Sequence, residues 1–487
     1  MAERPIELAV VGHTNAGKTS LLRTLTRRSD FGEVSDQPGT TRHVETVPLV
    51  IDGAPAVRFA DTPGLEDPVA LLELVQAIPQ GLTPTYRVRA FLRRPEATGA
   101  FEQEAKVLRA LLEADAALYV IDCREAVLPK YHCEIELLGA CATPLLPVLN
   151  HLRAADSREA DWRRALAEHG LHAQAGFDAV APFVGAEVQL YRDLATLLGA
   201  RRARLDRVAD HLARQQAERR TAGLRTIADH LVGLAALRHT LERDEAEDAA
   251  RRAAAVAAFR RSVAAEARRA ADTLLAVHGF RPDEAELAEL PGLAGRWEDD
   301  LFNPQVLQTA ARQLGTGAVV GAAIGLGLDV ALAGLSLGAA TTLGATIGGL
   351  ASQGFGVVGR TLANKVSGRQ DLTLDDAVLL VLADRLLTLQ AALERRGHAT
   401  LTTLRAAPDA DASADLHTDS GDGTEGPPPL VALLQALHPA RGQPDWATGH
   451  SGRSARSADR REALVAVLLP VLARAQPQPD DPVRQLS

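Results

Sequence analysis

The chain has 487 residues, of which 46% are hydrophobic and 24% charged. These values exclude a largely disordered polymer, and at about three times a typical domain length they predict two or three folding units. Aromatic residues make up only 3%, so Ala and Leu carry the apolar mass and the composition leans helical. The formal net charge of -9, with a pI near 5.9, excludes the overall basic character of a dedicated nucleic-acid binder, though not a local basic patch.

In chain order, Ile6–Val11 is a short apolar run that ends at Gly12 and predicts a buried strand. Leu21, Leu22 and Leu25 then recur at helical spacing over 19–28. Residues 29–42 are polar, contain Pro38 and Gly39, and predict a loop. The runs 43–51 and 56–60 flank Asp52-Gly53-Ala54-Pro55 and predict an antiparallel hairpin. Residues 65–115 are helical in pattern, with breaks around 79–84 and 95–99. The runs 116–122 and 145–150 predict two more buried strands, with a helix over 134–140 between them. Strand alternating with helix predicts an α/β domain over 1–190. Its sheet is mainly parallel, has helices on both faces and carries one antiparallel edge strand.

Beyond residue 190 strand signals stop, and a mostly α-helical domain is expected over 191–400. The Arg201, Arg202, Arg204 and Arg207 run is diluted by Asp206, Asp210 and Glu218, and reads as a solvated helix face. An amphipathic helix is expected over 372–396. Residues 401–460, rich in Asp, Gly, Pro and Ser from 405 onward, read as a disordered linker, and 461–487 as a short helix and tail. Cys123, Cys133 and Cys141 match no metal or redox spacing, and a reducing cytoplasmic setting is expected. Lysine occurs only four times, at 18, 106, 130 and 365. A lysine that persists in so arginine-rich a chain is a candidate for a role arginine cannot fill.

Gly12-His13-Thr14-Asn15-Ala16-Gly17-Lys18-Thr19 is a full phosphate-binding loop signature, placed after a strand and before a helix. The glycines let the backbone curl so that its N–H groups converge on phosphate, and the helix that opens there, with Ser20 in its first turn, adds a positive dipole end. Lys18 is expected between the β- and γ-phosphates, and the Thr19 hydroxyl on Mg²⁺. Asp61-Thr62-Pro63-Gly64 follows the hairpin. Asp61 is expected to hold Mg²⁺ and the Gly64 N–H to sense the γ-phosphate. Between them, Pro38-Gly39-Thr40-Thr41-Arg42 suits a loop that triphosphate orders and hydrolysis releases. Lys18, Thr41 and Gly64 are thus the expected catalytic set.

With Asn15 in the loop, PGTTR and DTPGL, residues 1–190 resemble the Era/TrmE-like branch of the translation-factor-class P-loop GTPases. The resemblance implies GTP hydrolysis. It implies a potassium ion near Asn15 and Thr40, with Ser35 and Gln37 as further candidate ligands, and Thr41 as the Mg²⁺ ligand beside Thr19. Where many GTPases carry a water-orienting Gln, this chain has Leu65, so the resemblance implies that potassium, a rearranged helix or a partner does that work and that intrinsic turnover is slow. Glu66, Asp67 and Glu73 are nearby acids, which read first as helix-start residues. The family's base-reading Asn-Lys-x-Asp is here Asn150-His151-Leu152-Arg153. Asn150 persists, but the carboxylate that pairs with guanine is missing, with Asp156 three residues on as a candidate substitute. The family's later base-contacting loop would fall near 180–182 without recognisable residues. The YVIDCRE and LPKYHCEIELLGACATPLLPVLN segments are similar to bacterial Era-like GTPases with an uncharacterised helical C-terminal domain.

Between Arg312 and Arg360 the only charged residue is Asp329, and glycines recur at four-residue spacing: Gly317, Gly321, Gly325, then Gly334, Gly338, then Gly344, Gly348. Three readings stand for 314–360: a membrane-inserting helical hairpin, a tight hairpin buried in protein, or a hairpin whose exposure follows the nucleotide. The expected protein is a GTP-binding switch with GTP/GDP and an unknown protein effector as partners. It is cytoplasmic or at the inner membrane and not bound to nucleic acid. A non-catalytic nucleotide-gated interaction or membrane-remodelling module is the alternative.

Overall fold

The computed structural model describes residues 4–27, 44–79, 83–179, 182–280, 301–302, 307, 335–337, 370–394, 429–448, 450 and 453–477. Ser35, Gln37, Thr40 and Thr41, and all of 314–360 except Leu335–Leu337, lie outside them. The chain divides into two compact units, one ending at Ala217 and the other beginning at Glu218.

The first unit is built on a six-stranded sheet in the order β2-β3-β1-β4-β5-β6. The strands are β1 (Ile6–Val11), β2 (Glu45–Ile51), β3 (Ala54–Asp61), β4 (Ala116–Asp122), β5 (Leu145–Asn150) and β6 (Ala175–Gly176). Only the β2–β3 pairing is antiparallel. The alternation of strand side chains divides the core between the two faces. Leu8, Val10, Leu118 and Val120 pack on one side, and Ala9, Val11, Tyr119 and Ile121 on the other. Asp52 and Gly53, at φ 50° and 78°, form the two-residue turn between Ile51 and Ala54. The hairpin is therefore tighter than its four-residue signal. Pro48 and Pro55 are tolerated because β2 is an edge strand and β3 pairs with β1 only from Val57 onward.

The helices of this unit are α1 (Lys18–Thr26), α2 (Pro68–Gln76), α3 (Pro84–Phe91), α4 (Glu102–Glu113), α5 (Pro129–Ala140), α6 (Glu159–Glu168) and α7 (Ala186–Leu197). α5 begins earlier than expected because Pro129 sits in its first turn, where a fixed φ helps and no N–H is needed. β6 is too short for its pattern to be legible. The unit runs past residue 190, since Tyr191, Leu194, Leu205, Val208 and Leu212 belong to the core under the sheet.

The second unit is largely helical, as expected. It contains the C-terminal part of α8 (Arg202–Ala236), α9 (Arg243–Glu247), α10 (Ala249–Val277), α11 (Asp376–Glu394), α12 (Pro429–Leu437) and α13 (Ala455–Ala475). Strands do not stop at 190, however. β7 (Arg238–Leu241), β8 (Leu335–Leu337) and β9 (Gln370–Leu374) form a small antiparallel sheet in the order β7-β9-β8. Its strands bury only Leu241, Leu372 and Leu374 among the residues whose burial is described, too few for a period of two to register. β8 also places a strand inside the segment read as a helical hairpin. α11 is buried without interruption from Ala377 to Ala383 rather than on one stripe.

The linker reading of 401–460 fails from Pro429 onward. Leu430, Leu433 and Leu437 of α12 enter the core at helical spacing. Trp446 Nε1 donates to Ser457 Oγ at 2.8 Å. α13 starts before Arg460, at a Ser454 cap that accepts from the Ser457 N–H. Within this unit Glu266 is almost fully buried and accepts from His230 Nδ1 at 2.6 Å, from Thr448 Oγ1 at 2.8 Å, and from Arg269. Burial opposes the charge, but those hydrogen bonds hold the carboxyl down to about 2.

Candidate functional site

β1 delivers the chain to Gly12, and the loop of residues 12–17 turns into α1 at Lys18. Gly17 has φ 94°, and a Cβ there would lie 2.4 Å from Asn150 Nδ2, so both backbone conformation and space require glycine. Asn15 adopts a left-handed φ of 65°, which asparagine tolerates. The Lys18 ammonium is buried and donates to the carbonyls of Gly12 at 3.0 Å and His13 at 2.9 Å. Two of its three N–H donors therefore fix it under the loop. Burial lowers its pKa from the usual lysine value, and the charges of Asp61 and Glu134 oppose that shift.

Thr19 Oγ1 donates to Asp61 Oδ2 at 2.7 Å. Asp61 ends β3 and pairs with Val10, so strand register alone brings it to the loop. It is buried, and among the described residues its Oδ1 has no hydrogen-bond partner. Burial raises its pKa, against the Thr19 hydrogen bond and the Lys18 charge. A hydroxyl and a carboxylate with one unsatisfied oxygen form an oxygen-donor pair that fits a hard divalent cation.

Thr62 Oγ1 donates to the Val10 carbonyl at 2.8 Å and pins the DTPG turn to β1. Gly64 then sits directly on the loop. A Cβ at Gly64 would come 2.3 Å from Thr14 Oγ1 and 2.7 Å from the Thr14 backbone nitrogen. The next residue, Leu65, pairs with His13 in an isolated parallel bridge, and its side chain is fully buried. The position that often carries a water-orienting side chain is here a core anchor. Asp67 caps α2 by accepting from the Ala70 N–H at 3.0 Å, which gives that acid its structural role. The N–H groups of Glu66 and Asp67 both donate to Glu104 Oε1 of α4 at 3.3 Å. The long 65–115 stretch thus holds the chain just after the DTPG turn in place.

At the base-reading end, Asn150 is buried and acts as a brace. Its Nδ2 donates to the Ala16 carbonyl at 3.0 Å, and its Oδ1 accepts from the His151 and Ala179 N–H groups, each at 3.0 Å. His151 is partly buried. Burial lowers its pKa, and Asp122, Asp178 and Asp156 act in the opposite sense. The Arg153 guanidinium lies 4.5 Å from the centroid of the Phe183 ring. Asp156 therefore faces His151 electrostatically, and the fourth place of the motif holds a cation. Val180 and Ala181 lie outside the described residues.

Residues 12–20, Asp61, Gly64 and Asn150 are thus brought together, while Thr40 and Thr41 lie outside the described residues. The sequence reading missed three neighbours: Glu104, Lys130 and Glu134. Glu134 was visible as an acid within the buried stripe Tyr131, Ile135, Leu138 of α5, and Lys130 as one of the four lysines.

Residues 7–151 match the family described as 50S ribosome-binding GTPase, and residues 163–468 match the domain of unknown function DUF3482. Similar curated proteins include the tRNA modification GTPase MnmE of Parvibaculum lavamentivorans. It is 41% identical over 112 residues, or 23% of this chain and 18% of the relative. The MnmE of Jannaschia sp. is 40% identical over 85 residues, or 17% of this chain and 20% of the relative. The chain spans about a fifth of the length of these relatives. Among solved structures, Era in complex with MgGDPNP and a 16S ribosomal RNA segment is 19% identical. It covers 36% of this chain and 51% of its own, at a TM-score of 0.27. The chain belongs to the family defined by the DUF3482 domain, and its N-terminal domain is an Era/TrmE-like P-loop GTPase domain.

Proposed function

We propose that the protein binds GTP with Mg²⁺, hydrolyses it to GDP and phosphate, and uses the difference between the two states to control its helical second unit. The observation that carries this reading is the convergence of the buried Lys18 ammonium with the Thr19–Asp61 pair and its one unsatisfied oxygen. Thr19 and Asp61, with Thr41 completing the set, would hold the cation. When bound, it supplies positive charge to the β- and γ-phosphate oxygens. The chain's own contribution is positional. The loop N–H groups and Lys18 gather and orient the polyphosphate, and the Gly64 N–H meets the γ-phosphate. Asn150 keeps the loop in register with β5. Stabilisation of the charge spread over the transferring oxygens then comes from groups already in place.

No side chain at position 65 orients the attacking water, so intrinsic turnover is slow. A potassium ion held by Asn15 and Thr40 would supply a cation at the transferring phosphate, as the family resemblance implies. The test is phosphate release by purified protein with GTP or ATP, in K⁺ or Na⁺, beside Lys18→Ala. Turnover that prefers GTP, rises in K⁺ and vanishes in Lys18→Ala supports the reading. Equal use of ATP overturns the guanine assignment, and indifference to K⁺ overturns the potassium assignment.

The burial of Leu65 favours a second reading, a nucleotide-gated interaction module in which binding matters and hydrolysis is incidental. Under it, triphosphate binding occurs without appreciable turnover even in K⁺. The apolar 314–360 segment makes a membrane the candidate target of the controlled unit, and retention in a membrane pellet after an alkaline wash tests it.

A further inference from the structure

Behind the phosphate loop, α5 presents two opposite charges one turn apart, and they grip a residue of the loop between them. Lys130 Nζ lies 2.9 Å from His13 Nε2, and His13 Nδ1 faces Glu134 Oε2 at 3.5 Å. An ammonium can only donate, so His13 Nε2 is the acceptor and the ring proton sits on Nδ1, pointing at Glu134. The histidine therefore stands between Lys130, which donates to it, and Glu134, which its other nitrogen faces. The Tyr131 ring stands edge-on to it, with centroids 5.3 Å apart.

Glu134 is fully buried, and the Tyr119 phenol is the hydroxyl that faces it. The groups that face it are His13 from the loop, Lys18 from α1, Tyr119 from β4, and Tyr131 from its own helix. The Tyr119 phenol is held protonated, chiefly by burial and then by the Glu134 charge. A buried carboxylate is costly unless nearby positive charge compensates it. Here that charge comes from Lys18, which Glu134 reaches through space without an ion-pair contact and which Asp61 also faces, and from Lys130 through the histidine. A polyphosphate entering the loop brings several negative charges to the same ammonium, and so competes with Glu134 for it.

We propose that Glu134 is a positioning residue of the phosphate site: a fixed counter-charge to Lys18 that the nucleotide has to outcompete, offset by Lys130 acting through His13. Removing the two charges therefore has opposite effects. Glu134→Gln keeps the shape and an acceptor for His13 but removes the opposing charge. Lys130→Met leaves the Glu134 charge less compensated and raises the barrier to polyphosphate. The pair tunes how tightly nucleotide is held and how fast it leaves, without touching the reacting atoms. This inference rests on the reading that a polyphosphate occupies the loop.

The experiment measures the Kd and dissociation rate of a fluorescent GDP with Mg²⁺ on the full chain. The proteins are wild type, Glu134→Gln, Lys130→Met, Lys130→Arg and the Glu134→Gln/Lys130→Met double variant. Expected are at least fivefold tighter binding with slower release for Glu134→Gln, and at least threefold weaker binding for Lys130→Met. Lys130→Arg and the double variant should lie within twofold of wild type. A purely structural role would weaken binding in both single variants, and that result overturns the proposal. If Glu134→Gln does not fold, the lysine pair decides. Unchanged affinity in Lys130→Met, or no rescue by Lys130→Arg, overturns it. A wild-type chain that binds no nucleotide overturns this proposal and the functional reading together, whereas normal wild-type binding with same-sign variants overturns this proposal alone.

Discussion

Asn150→Ala separates two roles for a residue that the sequence places in base recognition and the structure places in the scaffold. The asparagine makes three hydrogen bonds of 3.0 Å, to Ala16 O and from the N–H groups of His151 and Ala179, and is 1% exposed. Alanine leaves a carbonyl and two amides to find other partners. At about 0.5–1.5 kcal/mol for each net bond, the loss of all three is about 1.5–4.5 kcal/mol. The loss falls on the scaffold itself, because all three bonds join groups of the chain. The two units preclude a single two-state fit. The assay is therefore hydrogen exchange of the β1 and β5 amides under native conditions, together with nucleotide affinity. The expected result is a loss of protection in both strands before any nucleotide is added. Unchanged protection with weakened nucleotide binding would refute the reasoning and return Asn150 to a purely ligand-contacting role.

Gly64→Ala places a Cβ 2.7 Å from the Thr14 backbone nitrogen, and a backbone cannot swing aside as the Thr14 hydroxyl can. Lifting the turn off the loop should lower GTP turnover at least tenfold, with binding of GDP changed less than threefold in the same preparation. Asp61→Asn keeps the acceptor for Thr19 but removes the carboxylate charge, so the Mg²⁺ concentration that half-saturates nucleotide binding should rise at least tenfold in a titration. In the second unit, Glu266 is held near 2 against an ordinary value near 4.5. A carboxyl lowered by folding contributes stability that is complete above about pH 4.5 and drains away as pH falls toward 2. Glu266→Gln should cost about 3 kcal/mol at neutral pH and flatten the acid limb of thermal stability in that window. An unaltered acid limb would show that the His230–Thr448–Arg269 network does not hold the unit together.

The phosphate end of the site was legible because its chemistry is local. A glycine, a lysine and a threonine at fixed spacing after an apolar run dictate a loop, and the β1–β3 register carries Asp61 to it without further information. Leu65 was legible as a missing polar group, but its burial was not, since that depends on the helices of 65–115 that cover it. Asn150 was assigned to the nucleotide because its bonds to Ala16 and Ala179 join residues 134 and 29 positions away, which no window of sequence displays. Lys130 and Glu134 were readable as a lone lysine and a lone acid on an apolar stripe. Their common target, His13, appears only once α5 packs behind the loop. In the second unit, strands of three to five residues carry too little alternation to compete with the helical pattern around them. The Pro- and Gly-rich surroundings of α12 concealed three leucines that reach the core.

The claim on which the rest depends is that residues 12–19 grip a polyphosphate. Isothermal titration of the purified full chain with GTP and Mg²⁺, beside Lys18→Ala, tests it most directly. The wild type should give saturable heat at one site per chain, and Lys18→Ala none. The absence of heat with any nucleoside triphosphate, or equal binding by the Lys18→Ala variant, would contradict it.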